Sequence, residues 1–96
     1  MMDIWDVWDS RLRAVRNLVL TLPRETQGQQ LDDHARPTGV PVVLPAGTQV
    51  RYVETGYDAM RLVQCFHTVR VVSGQAAGLW VGIEDTVSPG PLPWEE

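Results

Sequence analysis

Ile4, Trp5, Val7, Trp8, Leu12, Val15, Leu18, Val19 and Leu22 recur with helical spacing and, at about 100° per residue, fall within an arc of roughly 160°. An amphipathic helix is therefore expected over residues 3–22, filling an N-terminal segment of residues 1–22. Arg11 is the one dissenter in the arc. The opposite face collects Asp6, Asp9, Arg13, Arg16 and Asn17, with the acids ahead of the bases, as the helix dipole favours. Asp3 is the expected N-cap and Pro23 the expected stop. Leu18, Leu20 and Leu22 also alternate as in a strand, so the alternative is a helix that ends near Arg16 and hands over to a first strand.

Residues 23–39 are polar, contain Gly28, Pro37 and Gly39, and follow neither period, so they read as a long polar connection. From residue 40 the texture changes to short β-like runs, at 40–44, 48–54, 60–66, 68–73 and 79–84. Pro41 confines the first run to a sheet edge. The third run has a short helix over 57–65 as its alternative. The last two runs flank a connection with Gly74 and Gly78 at its ends, a length suited to a hairpin. In that hairpin Leu79, Val81 and Ile83 face the core, and Trp80, Gly82 and Glu84 face away. Residues 89–96, with Pro89, Pro91 and Pro93 at alternate positions, are expected to be an extended, polyproline-like tail.

The steps Gly47-Thr48-Gln49-Val50 and Gly78-Leu79-Trp80-Val81, within residues 44–53 and 78–83, resemble those that open strands in small SH3-like β-barrels. The resemblance covers about half the chain. It implies an SH3-like barrel of about five strands over residues 40–88, preceded by the amphipathic helix, in an α+β and mainly β fold. Such barrels commonly serve as binding modules or subunits of assemblies. The acidic and aromatic peptide-binding pattern of the eukaryotic signalling domains is missing from this chain, so proline-rich ligands are not carried over, and no residue roles follow from the family.

Composition narrows the function classes. The chain has 96 residues, 44% of them hydrophobic, so a single compact domain is the ceiling and a core plus a deep substrate cavity is disfavoured. Eight arginines, no lysine and a net charge of −4 speak against nucleic-acid binding, which relies on clustered basic residues. Arg11, Arg13 and Arg16 are offset on the same helix by Asp3, Asp6 and Asp9. The three aspartates also leave the helix little attraction for an anionic membrane surface. No segment has the apolar run of a membrane span, and a lone cysteine excludes an intramolecular disulfide, so a cytoplasmic protein is expected.

Candidate chemistry is sparse. Cys65 and His67, two apart on a strand, share a face as two metal ligands would, but a closed zinc site needs two more. The expectation is an ordinary buried cysteine beside a partly exposed histidine, with no metal and no cofactor. Asp32, Asp33 and His34 set a carboxylate pair beside an imidazole, yet neighbours on a loop rarely orient one another, and a solvated turn is expected. No serine sits in a nucleophile elbow, so an enzyme is not expected.

The function the sequence favours is a non-catalytic protein-binding or assembly module. It would dock a partner protein, or a second copy of itself as a homodimer, through the stripe Trp5, Trp8, Leu12, Val15 and Val19, with Trp80 as an outward aromatic near Tyr52 or Tyr57. The alternative is a small-ligand or metal-binding protein using Cys65 and His67 with a loop carboxylate.

Overall fold

A computed structural model describes residues 4–57 and 64–96. The expected Asp3 cap and most of the strand-or-helix alternative over 57–65 fall outside those residues. One helix, α1 (Ile4–Ala14), precedes six strands: β1 (Val19–Thr21), β2 (Thr26–Leu31), β3 (Pro37–Leu44), β4 (Gln49–Tyr57), β5 (Gln64–Val71) and β6 (Trp80–Thr86). They form one antiparallel sheet in the order β1-β4-β5-β6-β2-β3, so the chain is α+β and mainly β. No helix among the described residues is long and apolar enough to cross a membrane.

The helix is shorter than the 3–22 its apolar period predicts. It closes through turn hydrogen bonds from the Val15 and Arg16 N–H groups, and Asn17 enters the left-handed region at φ 65°. The next residues pair instead with β4: Asn17 N–H donates to the Tyr52 carbonyl, and Tyr52 N–H to that of Leu18. Leu18, Leu20 and Leu22 thus follow the strand alternative, with Leu22 fully buried and Leu18 exposed. Backbone pairing along a sheet edge outweighs a further two turns of helix.

The polar connection 23–39 is mostly strand. β2 carries Gln27, Gln29 and Gln30 and is hydrogen-bonded to β3 on one side and β6 on the other. One position on it must stay small: a Cβ on Gly28 would lie 2.6 Å from the Gly82 carbonyl oxygen and 2.9 Å from Val81 Cγ1. Such a strand shows no apolar alternation, because close approach and backbone pairing hold it in place. The turn to β3 is closed by Asp32, whose carboxylate accepts N–H bonds from His34 and Arg36 at 2.8 and 2.9 Å. The bonds from Arg36 and then His34 hold the Asp32 carboxyl below its usual range. β3 is longer than the expected 40–44, but it is an edge strand, as Pro41 requires. The expected runs at 60–66 and 68–73 are, where described, one strand, β5, and the hairpin with β6 holds from Gln64↔Thr86 to Arg70↔Trp80.

Four antiparallel steps separate β1 from β2 in the sheet, so the two run parallel, yet only residues 22–25 link them. A flat sheet would demand a link that runs back along a strand and across three others, so the sheet rolls, and β1 and β2 act as one strand bent at Leu22. Its N–H donates to Thr48 O at 2.9 Å and its carbonyl accepts from Gly47 N–H at 2.8 Å. β1 and β3 stay as unpaired edges.

Inside the roll lie Leu44, Val50, Tyr52, Val69, Val71, Val81 and Ile83, covered by Trp8 and Leu12 of α1. The C-terminal residues are also core: Leu92 is 1% exposed and Trp94 8%. This corrects the expected extended tail. Leu92 and Trp94 alternate with the prolines, and burying both outweighs the freedom of a frayed end. Arg11, the dissenter on the helix stripe, is what clasps them: its guanidinium donates to the Gly90 carbonyl and pairs with the Glu95 carboxylate.

Two measurements test this packing. Gly28→Ala should lower the urea-unfolding free energy by about 1–3 kcal/mol through overpacking. Gly56→Ala, which meets nothing within 4 Å, should raise it by about 0.5 kcal/mol. Burial raises the Glu95 carboxyl, but the Leu92 N–H and the Arg11 guanidinium outweigh it and hold the group below 4.5. Its stabilisation is therefore complete above that value and lost as pH falls through the lowered one. Urea unfolding from about pH 6 to about pH 3 should show a shallower acid decline for Glu95→Gln, from a lower starting stability, than for the wild type.

Candidate functional site

The densest group of chemically capable side chains lies at one end of the β5–β6 hairpin. Cys65 and His67 point inward from β5, and Asp85, two beyond Ile83 on β6, shares their face. His67 is fully buried, not partly exposed as expected. Its Nε2 is 2.8 Å from Asp85 Oδ2 and 3.9 Å from Cys65 Sγ. The other carboxylate oxygen of Asp85 accepts the Thr86 N–H at 2.8 Å.

The second ring nitrogen is met by an irregularity. The β4–β5 register shifts between Tyr52 and Glu54. This bulge reverses the alternation of β4, so that Tyr52 and Thr55, three apart, face inward together. Thr55 Oγ1 is 2.7 Å from His67 Nδ1 and 2.6 Å from the Tyr52 hydroxyl. Burial raises the Tyr52 phenol, more than its bond to Thr55 lowers it, so it stays a donor. With the Asp85 carboxylate accepting from Nε2–H, one direction satisfies every group: Tyr52 donates to Thr55, Thr55 to Nδ1, and Nε2–H to Asp85.

Aromatic rings enclose the imidazole. Trp8 and Trp94 stand 5.5 and 5.2 Å from it, and Tyr52 6.4 Å away, the last two edge-on. The Trp94 indole N–H is buried without an acceptor among the described residues. Burial, followed by the Asp85 charge, pushes the Cys65 thiol up to about 12, so at neutral pH it is a protonated thiol and not a nucleophile.

Of the expected docking residues, Trp8 and Leu12 are buried in the chain's own core, and Trp5 and Val15 are partly buried against it. Trp5 packs on Tyr57, whose hydroxyl donates to the Asp9 carboxylate. Val19 is on β1, not on the helix, and is exposed. The stripe is therefore not one accessible surface. Trp80 faces outward as expected, but Tyr52 is on the opposite, inner face, and the neighbour of Trp80 is Arg70, whose guanidinium lies 5.6 Å over the ring. His34 and Asp33 are exposed on the β2–β3 turn, and the carboxylate beside Cys65 and His67 is Asp85, on a strand rather than a loop.

Asp85 was within partial reach of the sequence, because one more step of the inward period Leu79, Val81 and Ile83 brings it to the core face. The expected runs would set it opposite His67, and the register that sets it opposite Cys65, like the bulge that turns Thr55 inward, is announced by no residue pattern. Thr55→Val should cost about 1–3 kcal/mol in urea unfolding by leaving His67 Nδ1 and the Tyr52 hydroxyl unmet. Thr55→Ser should restore most of it.

Comparisons of the chain with protein-family models, with curated proteins and with solved structures find no match.

Proposed function

We propose that the chain is a non-catalytic binding module that docks a second copy of itself through the outer edge of β3. The observation that carries this reading is Val43, 54% exposed along an edge strand, with Val40, 49% exposed, on the other face of the same strand. Val43 also borders an apolar groove of about 350 Å³, whose lining includes Pro45, Ala76 and Leu79. A knob beside a groove on one surface suits a two-fold contact, in which each copy offers its valine to the other. Pro41 removes a backbone donor within β3, so contact is made by side chains rather than by strand addition. The absence of catalysis is supported by the protonated Cys65 thiol and by His67, whose two nitrogens are both engaged. The finer reading of the sheet as an SH3-like barrel is supported by two four-residue links, 22–25 between β1 and β2 and 45–48 between β3 and β4, and barrels of that kind commonly bind partners.

Sedimentation equilibrium of the full chain over a wide concentration range is the test. The wild type should be a reversible dimer. Val40→Thr with Val43→Thr should weaken association about ten- to a hundredfold with an unchanged melting temperature. A wild type that stays monomeric at the highest concentration would overturn self-docking.

A further inference from the structure

Three ligand atoms, Cys65 Sγ, His67 Nε2 and a carboxylate oxygen of Asp85, all lie within 4.8 Å of one another. They come from adjacent strands in direct register, with Cys65 opposite Asp85, and strand pairing fixes their spacing. We infer that Cys65, His67 and Asp85 hold one divalent transition-metal ion, with zinc the ion this mixed sulfur, nitrogen and oxygen set suits best. The inference is independent of the docking surface on β3.

The dimensions fit. Zinc takes sulfur at about 2.3 Å and nitrogen or oxygen at about 2.0–2.2 Å, which places tetrahedral ligand atoms roughly 3.3–3.6 Å apart. The 2.8 Å between His67 Nε2 and Asp85 must open and the 3.9 Å between His67 and Cys65 must close, each by about half an ångström, while the Cys65–Asp85 pair, within 4.8 Å, must close by up to about 1.2 Å. The Asp85 side chain is 25% exposed, so it has room to move and gives the cluster its side open to solvent. A thiolate, a carboxylate and a divalent cation sum to zero charge, which suits a site otherwise buried. Magnesium and calcium, which prefer all-oxygen shells, are excluded by the same donors.

The surroundings fit as well. On binding, the Cys65 thiol loses its proton to solvent, the Nε2–Asp85 hydrogen bond is given up, and the Nε2 lone pair turns to the ion. The ring proton then resides on Nδ1 and is donated to Thr55 Oγ1, 2.7 Å away, while Thr55 donates to the Tyr52 oxygen, at the cost of the acceptor that the Tyr52 O–H has among the described residues. A metal-bound histidine commonly has such a partner on its other nitrogen, and here it is already in place. Three protein ligands leave a fourth position for water or a small anion.

The test uses the full chain, made without an affinity tag, stripped with chelator and titrated with cobalt(II). The wild type should develop a thiolate-to-cobalt charge-transfer band that saturates at one equivalent and is displaced by zinc, and zinc should raise its melting temperature. Cys65→Ala should abolish the band. Asp85→Asn, whose amide oxygen can still accept from His67 Nε2–H in the metal-free chain, should keep the band but weaken cobalt affinity at least about tenfold, and Thr55→Val should weaken it about ten- to a hundredfold, with Thr55→Ser close to wild type. Folded wild type that gives neither band nor thermal shift would reduce the cluster to a hydrogen-bonded network and overturn the inference. Asp85→Asn binding cobalt as tightly as wild type would overturn it equally.

Discussion

A fully buried imidazole must have both nitrogens met, and much of this small domain is arranged to meet those of His67. Asp85 of β6 takes one side and Thr55 of β4 the other, so the ring ties together three neighbouring strands of the sheet. Its faces and edges are closed by Trp8 from the helix and Trp94 from the C-terminal segment. Elements far apart along the chain therefore share one polar anchor, and each would expose a costly unpaired group if it moved away.

That anchor accounts for two local irregularities. The bulge in β4 spends one residue on reversing the inward alternation, and the residue it turns inward is the hydroxyl that His67 needs. Arg11 breaks the apolar stripe of α1, and its contacts with Gly90 and Glu95 hold the segment that carries Trp94. Neither feature helps local structure. Both are explained by the packing around the imidazole.

The same construction limits what the helix can do. A stripe bearing two tryptophans resembles a docking surface when seen alone, but Trp8 and Leu12 are needed to close the open side of the roll. The exposed apolar side chains are scattered over other elements, among them Leu18 and Val19 at β1 and Val40 and Val43 on β3, and the solvent side of Asp85 lies at the end of the hairpin.

Local forces made part of this legible from residues alone. Strict alternation in β4 up to Tyr52, the glycine-bounded turn before β6 and Pro41 in β3 each act within a few residues, so the β-rich character, the last hairpin and the edge strand can be read directly. Cys65 and His67 on one face follow from the period of a strand. Tertiary structure decided the rest. β2 has glutamines and a glycine where a strand pattern would show branched side chains, because its place depends on partners on both sides. The helix gave up residues 15–22 to a turn and an edge pairing with β4, and Leu92 and Trp94 left the tail for the core. The meeting of Cys65, His67, Asp85 and Thr55 required a register and a bulge, and both are properties of paired strands rather than of any single stretch of chain.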